Sequence, residues 1–249
     1  MISKLKNIPR KLDKLLSKFP FIHSILRKLY CLIKPGVRFR IEKTFRSYES
    51  IFLLKIGAND GVQSDPIADY LLNDSRYTGL MIEPIPQYAQ MLRDNFNGTG
   101  RFIIEEAAIS DSDTMLTMYY VQESAVDAEG MPLPKWLRGV ASLDRSHVEK
   151  HLSEEQAHLI REAQVESLTV ERLLSKNDVN RVDLLHIDTE GHDYVILKQF
   201  DFNQISPKIV LFEHAHLNNS DRSAACNLME EAGYEVELQG VDAFCLKRS

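Results

Sequence analysis

Two groups of residues in this chain could do chemistry. The first is Gly57, Asn59, Asp60 and Gly61, which make a compact turn directly behind the apolar run Ile51–Ile56. A second apolar run, Tyr77–Ile82, stops at Glu83. A glycine turn lets a ligand lie against bare backbone. A carboxylate at the tip of the next strand, about 20 residues on, can take both hydroxyls of a ribose. Together they describe a crevice for an adenosine-containing cofactor. A dinucleotide would need glycine where Asn59 and Val62 stand, and Asp60 would repel its pyrophosphate. A carboxylate in the turn suits a cofactor with a cationic amino-acid tail, and S-adenosylmethionine has one.

The second group is Asp188, Glu190, His192 and Asp193, close behind the run Leu184–Ile187. Carboxylates at the end of such a strand can align an acceptor or take its proton. They can equally cap the helix that follows. Glu213, His214 and His216 close another apolar run at the same edge, which makes His214 a second candidate base. With Asp188 they have donors for a divalent metal. Polar histidines of a pocket or surface are the simpler expectation, with no metal. Trp136, the single tryptophan, could stack on a sugar or pack its own segment.

These residues need a frame that brings strand ends together. Short apolar strands alternate with helical stretches from residue 51 onward, which predicts βαβ units and a mostly parallel sheet. Strands are expected at 51–56, 77–82, 102–104, 184–188 and 209–213, with a further one at 115–121. Asp65 and Pro66 look like the cap and first residue of a helix reaching Leu72. Helices should follow at 88–96, 194–200 and 224–232, the last closed by Gly233. Residues 234–238 and 243–247 read as a terminal hairpin around Gly240. The segment 123–164 breaks the alternation and includes a polar helical stretch from His147 to Arg161. It reads as an insertion over the crevice, where substrate contacts concentrate.

Charge divides the chain. Residues 1–50 hold thirteen Lys and Arg against Asp13, Glu42 and Glu49, a balance of +10, so the other residues balance at −16. An acidic body is not expected to bind nucleic acid. In the arm, Leu12, Leu15, Leu16 and Phe19 share a helical face, and Ile22, Ile25, Leu26, Leu29 and Ile33 repeat the spacing. Such helices could lie on an anionic membrane surface or pack on the body. Three scattered cysteines, Cys31, Cys226 and Cys245, fit a reduced cytoplasmic setting without a zinc-finger or disulfide framework.

Four strings carry a resemblance: Ile56-Gly-Ala-Asn-Asp-Gly61, Glu83-Pro84, Ala107-Ala-Ile-Ser110 and Leu184-Leu-His-Ile-Asp-Thr-Glu-Gly191. They resemble the FkbM-type S-adenosylmethionine-dependent methyltransferases across about residues 50–249, with residues 1–49 as a basic helical extension. The resemblance implies a class I methyltransferase, Rossmann-like α/β fold, with a seven-stranded sheet whose last strand is antiparallel. It implies that Gly57, Asn59, Asp60 and Gly61 cradle the methionine moiety. Glu83 would hold the ribose, and Glu106 and Ala107 would line the adenine. Asp188 and Glu190, with His192 beside them, would serve the acceptor. The chain departs from the pattern at Lys55, where an acidic residue is commoner, and at His186, where many relatives have Lys. That leaves Asp60 as the expected partner of the cofactor amine. The implied reaction is O-methylation of a sugar, glycan or related natural product. The alternatives are a nicotinamide-dependent oxidoreductase and a cofactor-binding scaffold without turnover.

Overall fold

The computed structural model describes residues 36–248 apart from 64, 123, 127–129, 135, 136, 138 and 139. Expectations for the basic arm before residue 36 and for Trp136 therefore lie outside the described residues. What is described of the extension, helix α1 (Val37–Thr44), packs on the body through fully buried Ile41, with Phe45 buried behind it.

Five parallel strands form the centre: β1 (Ile51–Ile56), β2 (Tyr77–Ile82), β3 (Phe102–Glu105), β8 (Leu184–Ile187) and β9 (Ile209–Glu213). At the far edge β10 (Tyr234–Gln239) and β11 (Asp242–Lys247) make the expected hairpin. The order is β10-β11-β9-β8-β1-β2-β3, and β11, last in the chain, runs antiparallel to both neighbours. This is the class I methyltransferase sheet expected from the sequence. β1, β8 and β9 are nearly all buried, as strands covered on both faces must be. The chain order reverses between β1 and β8, where an open α/β sheet leaves a crevice at its carboxyl edge.

Helices α2 (Ala68–Asn73), α3 (Pro86–Phe96), α5 (Val170–Lys176), α6 (Asp193–Leu197) and α7 (Asn219–Glu231) connect these strands. Helix α2 starts later than expected. Asp65 does not cap it; Asp65 is drawn inward by an ion pair to Lys55 while its Oδ1 accepts the Ile67 N–H. Helix α7 starts earlier than expected because Asn218 accepts the Asp221 N–H and caps it there.

The larger correction is a second sheet of order β4-β7-β5-β6. It contains β4 (Ala108–Ile109), β5 (Thr114–Val121), β6 (Ala141–Ser142) and β7 (Ile160–Leu168). The expected strand near 115–121 belongs here rather than to the main sheet. The expected helix from His147 to Arg161 is instead helix α4 (Arg145–Glu149), a 3-10 turn at Glu154–Leu159, and the start of β7. Pairing decides this: β5 and β7 match antiparallel from Thr114 opposite Ser167 to Val121 opposite Ile160. One face of β5 (Leu116, Met118, Tyr120) packs toward Tyr88 of α3. The other (Tyr119, Val121) packs on a small core with Leu133, Leu137 and Val148. The Tyr88 hydroxyl donates to the Val121 carbonyl and ties this roof to the main sheet. Among the described residues no helix is long and apolar enough to cross a membrane.

Candidate active site

A cavity of about 400 Å³ opens at the carboxyl ends of β1, β2 and β8 and is roofed by the second sheet. Its floor begins at Gly57, which has φ +79°. A Cβ there would lie 1.8 Å from the Asp188 carbonyl oxygen, so only glycine lets the tips of β1 and β8 come this close. The Asp188 N–H donates to the Ile56 carbonyl at 2.9 Å and holds that approach. Asn59 follows, also left-handed at φ +51°.

Glu83 fixes the turn from the neighbouring strand. Its Oε2 accepts the Asn59 N–H at 2.8 Å and its Oε1 the Ile85 N–H at 2.9 Å. Burial pushes its pKa up to about 7, against the pull of those two N–H donors. A carboxylate oxygen has more than one acceptor site, so each remains able to take a ribose hydroxyl. Ala107 and Ala108 complete this end of the wall.

Gly57, Asn59, Glu83 and Ala107 thus line the cavity, and three other expected cofactor residues do not. The Asp60 Oδ1 accepts the Val62 and Gln63 N–H groups and braces the turn from within. Gly61 meets helix α3, where a Cβ would lie 2.5 Å from Leu92 and 2.6 Å from Phe96. Glu106 points outward to Arg93 at 2.9 Å, because alternation turns its side chain away from that of Ala107. Besides Glu83, the acidic side chains in the wall near the turn are Asp65 and Asp188.

Below the floor lies a buried network that sequence reasoning missed. Register pairs Lys55 with His186 across β1 and β8, and Lys55 Nζ donates to His186 Nδ1 at 2.9 Å. Lys55 also meets Asp65 at 3.2 Å, with the two side chains only 2% and 4% exposed. Burial and the adjacent ammonium push the His186 pKa down to about 3, so the ring is a neutral acceptor. Burial alone would raise the Asp65 carboxyl, but Lys55 and the Ile67 N–H bring it below its ordinary value.

Asp188, Glu190 and His192 line the wall together. Asp188 is exposed on the cavity wall, deep in the fold. Its carboxyl is pushed up to about 8 by burial, opposed by Lys55 and reinforced by Glu213, Asp193 and Glu190. The His192 Nε2 lies 3.2 Å from Ser110 Oγ, and burial lowers that ring's pKa. Neither Asp188 nor Glu190 caps helix α6: its cap residue is His192, with no side-chain cap bond. Asp193 is structural here, accepting from Thr189 Oγ1 at 2.8 Å and from the Glu213 N–H at 3.0 Å.

His214 does not reach the cavity. It is buried, and its ring nitrogens have no hydrogen-bond partner among the described residues. His216 lines the wall instead, with Nδ1 2.8 Å from Glu190 and 3.0 Å from Glu213. Hydrogen bonds to Glu190 and then Glu213 raise the His216 pKa to about 10. Glu190 sits at φ +54° and also meets His147 Nε2 at 3.1 Å. Burial would raise its carboxyl, but the bonds from His147 and His216 outweigh that and hold it at about 2. The spacing of His147 and His151, four residues apart beside a helical pattern, was the one available signal for this cluster.

The sequence matches a family model described as the methyltransferase FkbM domain over residues 55–236. No curated protein matches it. Among solved structures, a methyltransferase FkbM from Methylobacillus flagellatus KT is similar at 11% identity and a TM-score of 0.48. The match covers 79% of this chain and 44% of that one, so this chain spans less than half of that protein's length. A precorrin-6y C5,15-methyltransferase from Geobacter metallireducens GS-15 aligns at 14% identity and TM-score 0.45, covering 87% and 90%. A SAM-dependent O-methyltransferase from Thermotoga maritima aligns at 9% identity and TM-score 0.42, covering 87% and 66%.

Proposed function

The chain belongs to the FkbM methyltransferase family, and from that premise we propose that it transfers a methyl group from S-adenosylmethionine to a hydroxyl of a sugar, glycan or related natural product. The observation that supports this reading most is the composition of one cavity. Gly57, Asn59, Glu83 and Ala107 line it, and so do Asp188, Glu190 and His192. A methyl group moves by in-line displacement at the sulfonium, so alignment is most of the work and a nearby group must accept the hydroxyl proton. Among the described residues Asp188, unlike Asp65, has no cationic side chain in hydrogen-bond contact, and its carboxylate opens on the cavity; it is the group assigned to the acceptor hydroxyl. The apolar roof residues Met118, Val140, Ala141 and Leu143 would hold the acceptor's carbon skeleton. The setting we assign is cytoplasmic, with the basic arm before residue 36 as the candidate for a peripheral contact to anionic membrane.

Calorimetry tests the cofactor. S-adenosylhomocysteine should bind the purified protein and NAD should not. Glu83→Ala should weaken S-adenosylhomocysteine binding by about 1.5–3 kcal/mol, the worth of a charged hydrogen-bonding partner. It should also lower the melting temperature, because it leaves the Asn59 and Ile85 N–H groups without their acceptor. Binding of NAD with no response to S-adenosylhomocysteine would end the methyltransferase reading.

A further inference from the structure

Three histidines and a carboxylate from three distant segments meet at the rim of the cavity. His147 lies on α4 and His151 just beyond it, His216 follows β9, and Glu190 follows β8. Ligand atoms of His147, His151 and His216 all lie within 4.8 Å of one another. Glu190 Oε2 stands 3.1 Å from His147 Nε2 and 2.8 Å from His216 Nδ1. The His147 ring is 4.8 Å from that of His216 and 5.2 Å from that of His151, both edge-on.

We propose that His147, His151, His216 and Glu190 form a binding site for a divalent transition metal, zinc by the chemistry of its donors. Three imidazoles and one carboxylate are a borderline donor set that suits zinc and not magnesium or calcium, which take oxygen. A tetrahedral zinc with bonds of about 2.0–2.1 Å keeps its ligand atoms about 3.4 Å apart. The Glu190 separations of 3.1 and 2.8 Å lie below that value and the three imidazoles lie within 4.8 Å of one another, so modest side-chain rotations would bring the set to it. A simple ion pair would account for Glu190 and one histidine. It gives no reason for His147 to meet the same carboxylate, or for His151 to stand against both rings. Nor does it explain the left-handed backbone of Glu190, a conformation that costs a non-glycine residue energy and turns its side chain toward the rings. Glu213, 3.0 Å from the same His216 Nδ1, adds a second carboxylate beside the site.

Four protein ligands leave no open position, so the metal has a structural role. It fastens the segment bearing α4, part of the roof, to the ends of β8 and β9. The site goes beyond the methyl-transfer reading and does not depend on it.

The test uses the full chain, stripped with a chelator and titrated with zinc alone and with cobalt alone. One equivalent of zinc should bind, and cobalt should give the intense visible absorption of a tetrahedral site. His147→Gln and His216→Gln should each weaken zinc binding by about 100-fold or more, whereas His158→Gln, altering an exposed histidine on the 3-10 turn, should not. Circular dichroism and S-adenosylhomocysteine binding of each variant separate a lost ligand from a lost fold. Absence of one-equivalent binding, or zinc binding unchanged in both ligand variants, would overturn the proposal. A protein that binds zinc as described and does not bind S-adenosylhomocysteine would leave the metal site standing while the methyltransferase reading fell.

Discussion

Asp188→Asn should cut methyl-transfer turnover by about 100- to 10,000-fold, the range of a positioned proton acceptor. The substitution keeps the shape of the side chain and removes only its charge and basicity. Binding of S-adenosylhomocysteine should change much less, because the contacts assigned to the cofactor come from Glu83 and the glycine turn and not from the Asp188 side chain. Stability should hold or improve: this carboxylate sits deep in the fold among Glu213, Asp193 and Glu190, and its charge is unfavourable there. The assay follows S-adenosylhomocysteine released when a deproteinised extract of the source cells supplies the acceptor. Near-normal turnover combined with an early melt would mean that Asp188 serves the fold and not the reaction.

Gly57→Ala should cost about 4 kcal/mol or more of unfolding free energy, at the far end of what one methyl group does. Its Cβ would overlap the Asp188 carbonyl at 1.8 Å, and backbone at the sheet centre cannot move aside cheaply. The left-handed φ of +79° adds its own penalty for any residue with a Cβ. Gly61→Ala is the internal comparison. Its new methyl meets the ends of Leu92 and Phe96 side chains, which can rotate, so about 1–3 kcal/mol is expected. Urea unfolding of both variants checks the pair. A Gly57→Ala protein within 1 kcal/mol of the parent, roughly the loss of an ordinary substitution, would show that the strand tips can part.

The main sheet was legible in the sequence because its strands are short, apolar and separated by helical spacing. Ile51–Ile56 and Tyr77–Ile82 match residue for residue. The second sheet was not. Ile160–Leu168 places apolar side chains at Ile160, Ala163, Val165 and Leu168, a spacing that fits neither period, and its identity as a strand comes from β5. The site divides in the same way. Glu83 and Asp188 could be found because each ends an apolar strand. Lys55, Asp65 and His186 could not be seen to touch, since the register that joins β1 to β8 spans more than a hundred residues. His214 and His216 were equivalent as letters; only the turn after β9 decides which one faces the cavity.

The two faces of β5 set up an unequal response to different kinds of genetic change. Point substitutions at Met118 would resize the acceptor end of the cavity one side chain at a time, leaving Gly57 and Glu83 untouched. A one-residue insertion or deletion early in β5 would act on the whole wall at once. Because side chains alternate, it would bring the Tyr119 and Val121 face inward and send the Leu116, Met118 and Tyr120 face outward. A lineage could therefore exchange one acceptor surface for another in a single step, with the cofactor half of the protein inherited unchanged.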